Sequence, residues 1–314
     1  MDAAKGMWLF YEHPEVNFDD LKQKFMDIRK RAFKYPELGK KSRLICIPTT
    51  SGTGSEVTPF AVISDKAQNK KYPLTDYSLT PTIAIVDPEF TTNLPAKATA
   101  MTGMDVLTHA IEAYVSVMAN DFTDGLCLKA IKLVFDYLPR AVKSGKTDLE
   151  AREKMHNAAT IAGMAFANAF LGMCHSMAHK VGADFHTVHG HTCAILLPYV
   201  IRYNGTVPTK LSVWPKYNHY CADRKYREIA QLLGLPSSSP EEAVESLAAA
   251  CKQLCADIGL ATSFSELGID EKEWMDKVEE MAMLAYEDQC SPANPRVPLV
   301  EDMKEILRKA YKGE

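Results

Sequence analysis

Several protein classes are excluded by what this chain lacks. No apolar run approaches the roughly 18–20 residues that a membrane-spanning helix needs. The opening, MDAAKGMWLFYEHPE, has neither the basic flank nor the small-residue cleavage site of a secretory signal. Positive charge is not in excess: the net charge is −4, which gives no reason to expect a nucleic acid or an anionic membrane as partner. The eight cysteines, at positions 46, 127, 174, 193, 221, 251, 255 and 290, follow no regular spacing, so no disulfide framework is expected. Cys251 and Cys255 read most simply as two small apolar residues on one helix face. There is no internal repeat and no low-complexity tract. What remains is a chain with 46% hydrophobic and 24% charged residues, the balance of an ordinary globular protein with reduced thiols, and a cytoplasmic location is expected. At 314 residues it can bury a sizeable core and form two domains.

The first third alternates helical and β-rich patterns. Residues 18–35 carry Leu21, Phe25, Ile28 and Phe33 at amphipathic helical spacing. Residues 43–48 (RLICIP), 60–64 and 82–87 (TIAIVD) read as short strands, with a turn at 65–69. After Pro95 helical periodicity takes over, at 106–118, 126–138, 152–170, 226–233 and 241–258. Ser238, Ser239 and Pro240 ahead of Glu241 and Glu242 mark a helix start: a proline in the first turn, and acids near the positive end of the dipole. A Pro-rich connector, 294–302, precedes a last amphipathic helix at 303–311. The expected architecture is an α/β piece over 1–97 followed by an all-helical domain over 98–314.

Two groups of residues carry chemistry. Asp105 and His109 are i,i+4 in GMDVLTHAIEAY, so on a helix they share a face and can grip one ion. Six of the nine histidines fall between 156 and 191, a density that is uncommon because every buried imidazole must find partners. His175 opens CHSMAHKVG and His189 opens HGHTC, each beside small residues. One carboxylate and three neutral imidazoles suit Fe(II) or Zn(II) better than Ca or Mg. Ordinary buried, hydrogen-bonded histidines remain the competing reading. The second group is the loop TTSGTGSE at 49–56, which follows a strand. Thr49, Thr50, Ser51, Thr53 and Ser55 supply hydroxyls suited to a nucleotide, although Gly52 and Gly54 alone could simply make a turn.

The stretches VDPEFTTNLPAKATAMTGMDVLTHAIEAY (86–114) and CHSMAHKVGADFHTVHGHTCAILLP (174–198) closely resemble the signatures of iron-containing (group III) alcohol dehydrogenases. NGTVPTK (204–210) and YEDQCSPANPRVPLVEDMKEIL (286–307) narrow this to the alcohol dehydrogenase half of bifunctional aldehyde–alcohol dehydrogenases. The resemblance covers essentially the whole chain. It implies a dehydroquinate synthase-like fold, with a Rossmann-like dinucleotide-binding domain ahead of a helical metal-binding domain. It also implies Asp105, His109, His175 and His189 as ligands of Fe(2+), with Zn(2+) as the other candidate. His179 is implied to lie near nicotinamide and substrate, where it could relay a proton or merely orient a ligand. The 49–56 loop, with Thr58 and Lys71 beside it, is implied to contact NAD, and residues 90–94 its adenosine half. Cys290, Asn294 and Arg296 are implied to border the substrate cavity, with packing the equally good reading. His186 and His191 are expected in loops or outer positions, and His13, His156 and His219 on the surface or in structural roles.

The implied activity is reversible hydride transfer between a small primary alcohol, the ethanol/acetaldehyde pair, and NAD. A homo-oligomer is implied for the full-length form. The family places a Gly-Gly-Gly-Ser phosphate loop just before the helix matching MDAAKGMWLF, where this sequence begins. A truncated dinucleotide site is therefore expected, with Asp2 still near the cofactor. A glycerol or diol dehydrogenase on the same scaffold, or a metal-binding fragment with little activity, are the alternatives.

Overall fold

The computed structural model describes residues 1–21, 34–65, 70–209 and 220–314. In chain order the first part holds α1 (Asp2–Glu12), the single turn α2 (Phe18–Leu21), and strands β1 (Ile45–Cys46), β2 (Phe60–Asp65), β3 (Lys70–Thr75) and β4 (Ile83–Ala84). β2 and β3 form an antiparallel hairpin in which Phe60 faces Thr75 and Asp65 faces Lys70. β1 and β4 pair in parallel over only two residues each, Ile45 with Ile83 and Cys46 with Ala84. Ile45 and Ile83 on these strands, and Ile47 and Ile85 just after them, stay exposed.

The rest is helical: α3 (Ala96–Val115), α4 (Asp121–Ser144), α5 (Leu149–Ala169), α6 (Met173–Asp184), α7 (His189–Gly205), α8 (Ala222–Leu232), α9 (Pro240–Asp257), α10 (Glu271–Tyr286) and α11 (Val300–Lys312). Local chemistry sets their ends. Asn120 caps α4 by accepting from the N–H groups of Phe122 and Thr123, while Thr123 Oγ1 accepts from the Asn120 N–H. Ser239 caps α9 by accepting from the Glu242 N–H, with Pro240 in the first turn. Gly313, in the left-handed region at φ 81°, ends α11. Among the described residues no single helix is long and apolar enough to cross a membrane.

Two hydrophobic cores result. A small one joins Leu9, Leu21, Tyr35, Ala61, Leu74 and Leu79; a large one runs through the helices from Ala100 to Tyr311. α3 is the axis of the large core. It packs against α4, α5 and α7 and is buried almost continuously from Thr99 to Val115. Arg152 on α5 pins its entrance, donating to Thr99 Oγ1 at 2.7 Å, Leu94 O at 2.8 Å and Gly145 O at 3.0 Å.

The observed elements correct several expectations. The amphipathic pattern of 18–35 is helical only at Phe18–Leu21; residues 34 and 35 lie outside any helix, and 22–33 lie outside the described residues. Most of the expected turn at 65–69 also lies outside them, and Asp65 itself ends β2. The strands expected at 43–48 and 82–87 are two residues each, paired in parallel only at Ile45 with Ile83 and Cys46 with Ala84 among the described residues. β3 is an addition: its lysines and Pro73 hide it from a pattern reading. The connector expected through residue 302 ends earlier, since α11 starts at Val300.

Lys5 ties the two parts of the small core together. It is fully buried, and its ammonium donates to Thr58 O at 2.6 Å and Phe60 O at 2.8 Å. Burial lowers its pKa to about 8, against the pull of Asp2. Lys5→Met leaves both carbonyls unpaired and is expected to cost about 1–3 kcal/mol in denaturant unfolding. The folded form binds this proton less tightly than the unfolded chain. The wild-type margin over the variant should therefore grow as pH rises from about 8 towards 10.5, and a margin flat with pH would contradict the assignment.

Candidate metal centre

Asp105, His109 and Glu112 are i, i+4 and i+7 on α3, one polar stripe on a helix buried on all sides. Such a stripe needs partners, and α6 and α7 supply them. His175 sits in the first turn of α6, and His189 is the first residue of α7. His109 Nε2, His175 Nε2 and His189 Nε2 lie 3.8, 3.7 and 3.5 Å from the same atom, Asp105 Oδ1. That oxygen is buried and accepts no hydrogen bond. Three ring nitrogens thus converge on one unpaired carboxylate oxygen without bonding to it. Donors roughly 3.4 Å apart are what four ligands about 2.1 Å from a tetrahedral ion would present.

His109 and His175 stack at 4.7 Å between ring centroids, and His109 also stacks on Phe166 at 4.4 Å. Glu112, absent from the expected ligand set, is the support of the site. Its Oε2 takes the Nδ1 proton of His175 at 2.5 Å and its Oε1 accepts from the Cys174 N–H at 2.7 Å. This fixes the His175 tautomer and turns Nε2 towards Asp105, the outer-shell arrangement usual behind a ligating histidine. Its signal was present in the sequence as the third member of the 105–109–112 stripe. Cys193, four residues after His189 on α7, is a second addition. Its Sγ is 3.9 Å from His175 Nε2 and 3.8 Å from His189 Nε2.

The electrostatics suit a cation held between these donors. Burial alone would raise the Asp105 carboxyl, but the imidazoles of His109, His189 and His175 outweigh it and hold it well below the carboxylate range. Burial lowers His109 to about 4, which leaves a neutral ring able to donate a lone pair. For His175 and His189 burial also disfavours charge, yet Cys193 with Glu112 and Asp105 around the first, and with Asp105 beside the second, raises both. Without an ion, protonated imidazoles must therefore balance the acidic groups. A divalent cation would supply the same two positive charges at one point and leave all three rings neutral.

His179, one turn beyond His175, lies at the outer edge. Its ring stacks on His189 at 5.5 Å, and its Nδ1 meets Asp288 Oδ2 at 3.1 Å. Lys180 donates to the same oxygen at 2.9 Å. Against burial, His179 and Lys180 hold the Asp288 carboxyl well below its ordinary range.

The 49–56 loop divides. Thr49 and Thr53 are exposed and Thr50 is half-buried, while Ser51 is turned inward onto His156 Nδ1 at 3.0 Å. Ser55 donates to Asp2 Oδ1 at 2.9 Å, so Asp2 is engaged within the fold rather than free for a cofactor. Thr58 is buried and its carbonyl receives Lys5. Lys71 has its backbone in β3, and its side chain lies outside the described residues. The loop nevertheless reaches the site: a Cβ on Gly52 would come within 2.8 Å of Thr102 Cβ, three residues before Asp105 on α3.

Other residues singled out by the sequence have the following surroundings. Asn294 is buried, accepts from the Met173 N–H and pairs with Asn204, and Arg296 covers the Tyr203 ring at 4.1 Å. His191 Nε2 meets Ala261 O at 2.9 Å, His13 sits beside Glu15, and His186 is exposed. His219 lies outside the described residues.

Comparisons with known proteins point the same way. The family model "Fe-containing alcohol dehydrogenase family, C-terminal" matches residues 99–311, and "Iron-containing alcohol dehydrogenase" matches 1–88. An aldehyde-alcohol dehydrogenase of Streptococcus pneumoniae is 68% identical over 313 residues, covering 100% of this chain and 35% of that protein. The chain thus spans about a third of the length of such relatives. The structure of an iron-containing alcohol dehydrogenase from Thermococcus thioreducens superposes with a TM-score of 0.85 at 37% identity, covering 100% of this chain and 75% of that one. A sulfoacetaldehyde reductase from Bifidobacterium kashiwanohense, solved in complex with NAD+, superposes at 0.75 with 30% identity, covering 89% and 68%.

Gly190 sets the approach of α7 to α3. A Cβ there would come 2.1 Å from Met101 O and 3.0 Å from Asp105 Cβ. Gly190→Ala is expected to push His189 away from Asp105 and cost about 1–3 kcal/mol, as overpacking does. Denaturant unfolding with a variant crystal structure checks this: an unchanged His189–Asp105 spacing would refute the role given to Gly190.

Proposed function

The chain belongs to the iron-containing alcohol dehydrogenase family, and from that premise we propose that it carries an alcohol dehydrogenase centre in which Asp105, His109, His175 and His189 hold a divalent ion. The observation that supports this above all others is the buried, unpaired Asp105 Oδ1 with three imidazole nitrogens 3.5–3.8 Å away. The donor set fits Fe(II), the ion of the family name, and Zn(II) shares its tolerance of imidazole and carboxylate. The proposed reaction is RCH2OH + NAD+ going reversibly to RCHO + NADH + H+, with ethanol and acetaldehyde as the first pair to test. When bound, the ion supplies Lewis acidity for the hydroxyl or carbonyl oxygen and the nicotinamide exchanges the hydride.

The chain's own residues do the rest. Asp105 contributes the one negative charge among nitrogen donors, and Glu112 keeps His175 Nε2 turned inward. His179, with its Nδ1 on Asp288, presents Nε2 as the group that takes the alcohol proton and passes it outward. Its ring is about one-third exposed whereas His175 is closed off from water, so the proton route leads to solvent. Thr49, Thr50 and Thr53 orient the nicotinamide half of NAD on this reading, which the packing of their loop against α3 one turn before Asp105 supports. Ser51, Ser55 and Thr58 hold that loop to α1 and α5 from behind.

Anaerobic loading with Fe(II), followed by metal analysis and NADH oxidation with an aldehyde panel including hydroxylated substrates, tests the proposal; NADPH runs alongside. Asp105→Ala and His189→Ala should lose retained metal and turnover together, and full retention of both would overturn the assignment. Glu112→Ala should weaken metal affinity by about 10–100-fold, as loss of an outer-shell partner does, while the fold persists. Unchanged affinity in that variant would remove Glu112 from the machinery.

A further inference from the structure

The tightest group of donors around Asp105 is not the motif's own foursome. Asp105, His175, His189 and Cys193 each offer an atom within 4.8 Å of all the others. His109 reaches the group through Asp105 Oδ1, at 3.8 Å. A buried cysteine on a helix is ordinarily a small apolar residue. Here its neighbours differ from that default. The thiol is fully buried, yet the atoms beside it are two imidazole nitrogens and the Asp105 carboxylate. The i,i+4 spacing on α7 and the backward tilt of helical side chains lay it over His189. The neighbouring Cys174, by contrast, has its sulfur 3.5 Å from the Cys193 carbonyl, a backbone contact.

We propose that Cys193 Sγ is a metal donor in this chain, joining Asp105, His175 and His189 so that the pocket offers a thiolate in addition to its nitrogens and carboxylate. This rests on the reading that the cluster holds a divalent ion. A second feature points to a ligand independently of the sulfur: Asp105 Oδ1, buried and unpartnered, faces the same space. On binding, the S–H bond gives its proton to solvent and the sulfur lone pair forms the metal–sulfur bond, with no change of oxidation state. A thiolate is a soft ligand, so its presence tilts the site towards thiophilic ions such as Zn(II) and Co(II) and away from Mn(II).

Co(II) makes the bond visible, because thiolate ligation adds a near-ultraviolet charge-transfer band that imidazole and carboxylate do not produce. The full chain is titrated anaerobically with Co(II), as wild type and as Cys193→Ser, Cys193→Ala, Cys174→Ser and Cys290→Ser. The wild type should show the band together with ligand-field absorption. Both Cys193 variants should keep the ligand-field absorption and lose the band, and the other two should keep both. In competition with Mn(II), Zn(II) preference should fall by roughly tenfold or more in Cys193→Ser, the scale at which even an outer-shell partner acts. Co(II) bound by the wild type without the band, or a band surviving in the Cys193 variants, overturns the sulfur assignment and leaves the metal site standing. No Co(II) bound by the wild type takes down the metal reading, and this proposal with it. If the Cys193 variants do not fold, a wild-type spectrum without the band overturns the proposal, and a band that survives in both Cys174→Ser and Cys290→Ser, the other cysteines near the cluster, supports it.

Discussion

One oxygen atom constrains this structure. Asp105 places a carboxylate in the middle of α3, on a helix closed in by α4, α5 and α7, and leaves Oδ1 without a hydrogen bond. A buried ionised carboxylate is costly unless it is paired, and a half-satisfied polar site is worse than an apolar one. Direct hydrogen bonds from histidines would have relieved it. The three nitrogens instead stop at 3.5–3.8 Å, too far to bond it and the right distance to share something with it. On the proposed reading, the site is arranged around a cation held between these donors.

The surroundings hold that tension by close approach. Glycine lets three backbones come nearer than any side chain would allow. Gly190 brings α7 onto Met101 and Asp105, Gly52 brings the 49–56 loop onto Thr102, and Gly54 lies against Gly163 on α5. Gly54 also adopts φ 60°, a left-handed conformation that most residues resist. Aromatic rings continue the contact, Phe60 on Phe166 at 5.9 Å and Phe166 on His109 at 4.4 Å. Through these contacts the loop and hairpin of the first part bear directly on the donor helix. Displacement of the loop would be felt at Asp105 as a change of ring packing.

Periodicity made part of this legible in the sequence. The i,i+4 pair of Asp105 and His109 lies on one helix face as expected, and Ser239 and Pro240 open α9 where the local chemistry places them. The resemblance of the two signature stretches supplied the family. Glu112 was missed because the reading stopped at the pair, although the same stripe continues to i+7. Cys193 was missed because a thiol in an apolar helix looks like packing until its neighbours are known. β3 was missed because lysines and Pro73 disguise an edge strand. Which hydroxyls of the 49–56 loop face outward could not be read at all. That depends on Asp2 and His156, residues distant in sequence that claim Ser55 and Ser51. The convergence of α3 with α6 and α7 is likewise a product of packing between helices, on which sequence spacing is silent.

Burial divides the cluster into closed and open members, and on the proposed reading this division separates two transfers. Asp105 and His175 are closed off, whereas the His189 and His179 rings are about 41% and 36% exposed, His179 beside Asp288 and Lys180. A hydride must move where water is absent, because water would compete for the carbonyl and screen the field of the donor cluster. A proton must instead reach bulk solvent, and an imidazole held at Nδ1 by a carboxylate can take it at Nε2. Reversing the order, with the relay inside and the donor carboxylate at the rim, would let water pair with Asp105 Oδ1. That would dissipate the unpaired charge on which ion binding depends. The depth of Asp105 and the exposure of His179 are thus two requirements of one arrangement, met by a single turn of α6 between His175 and His179.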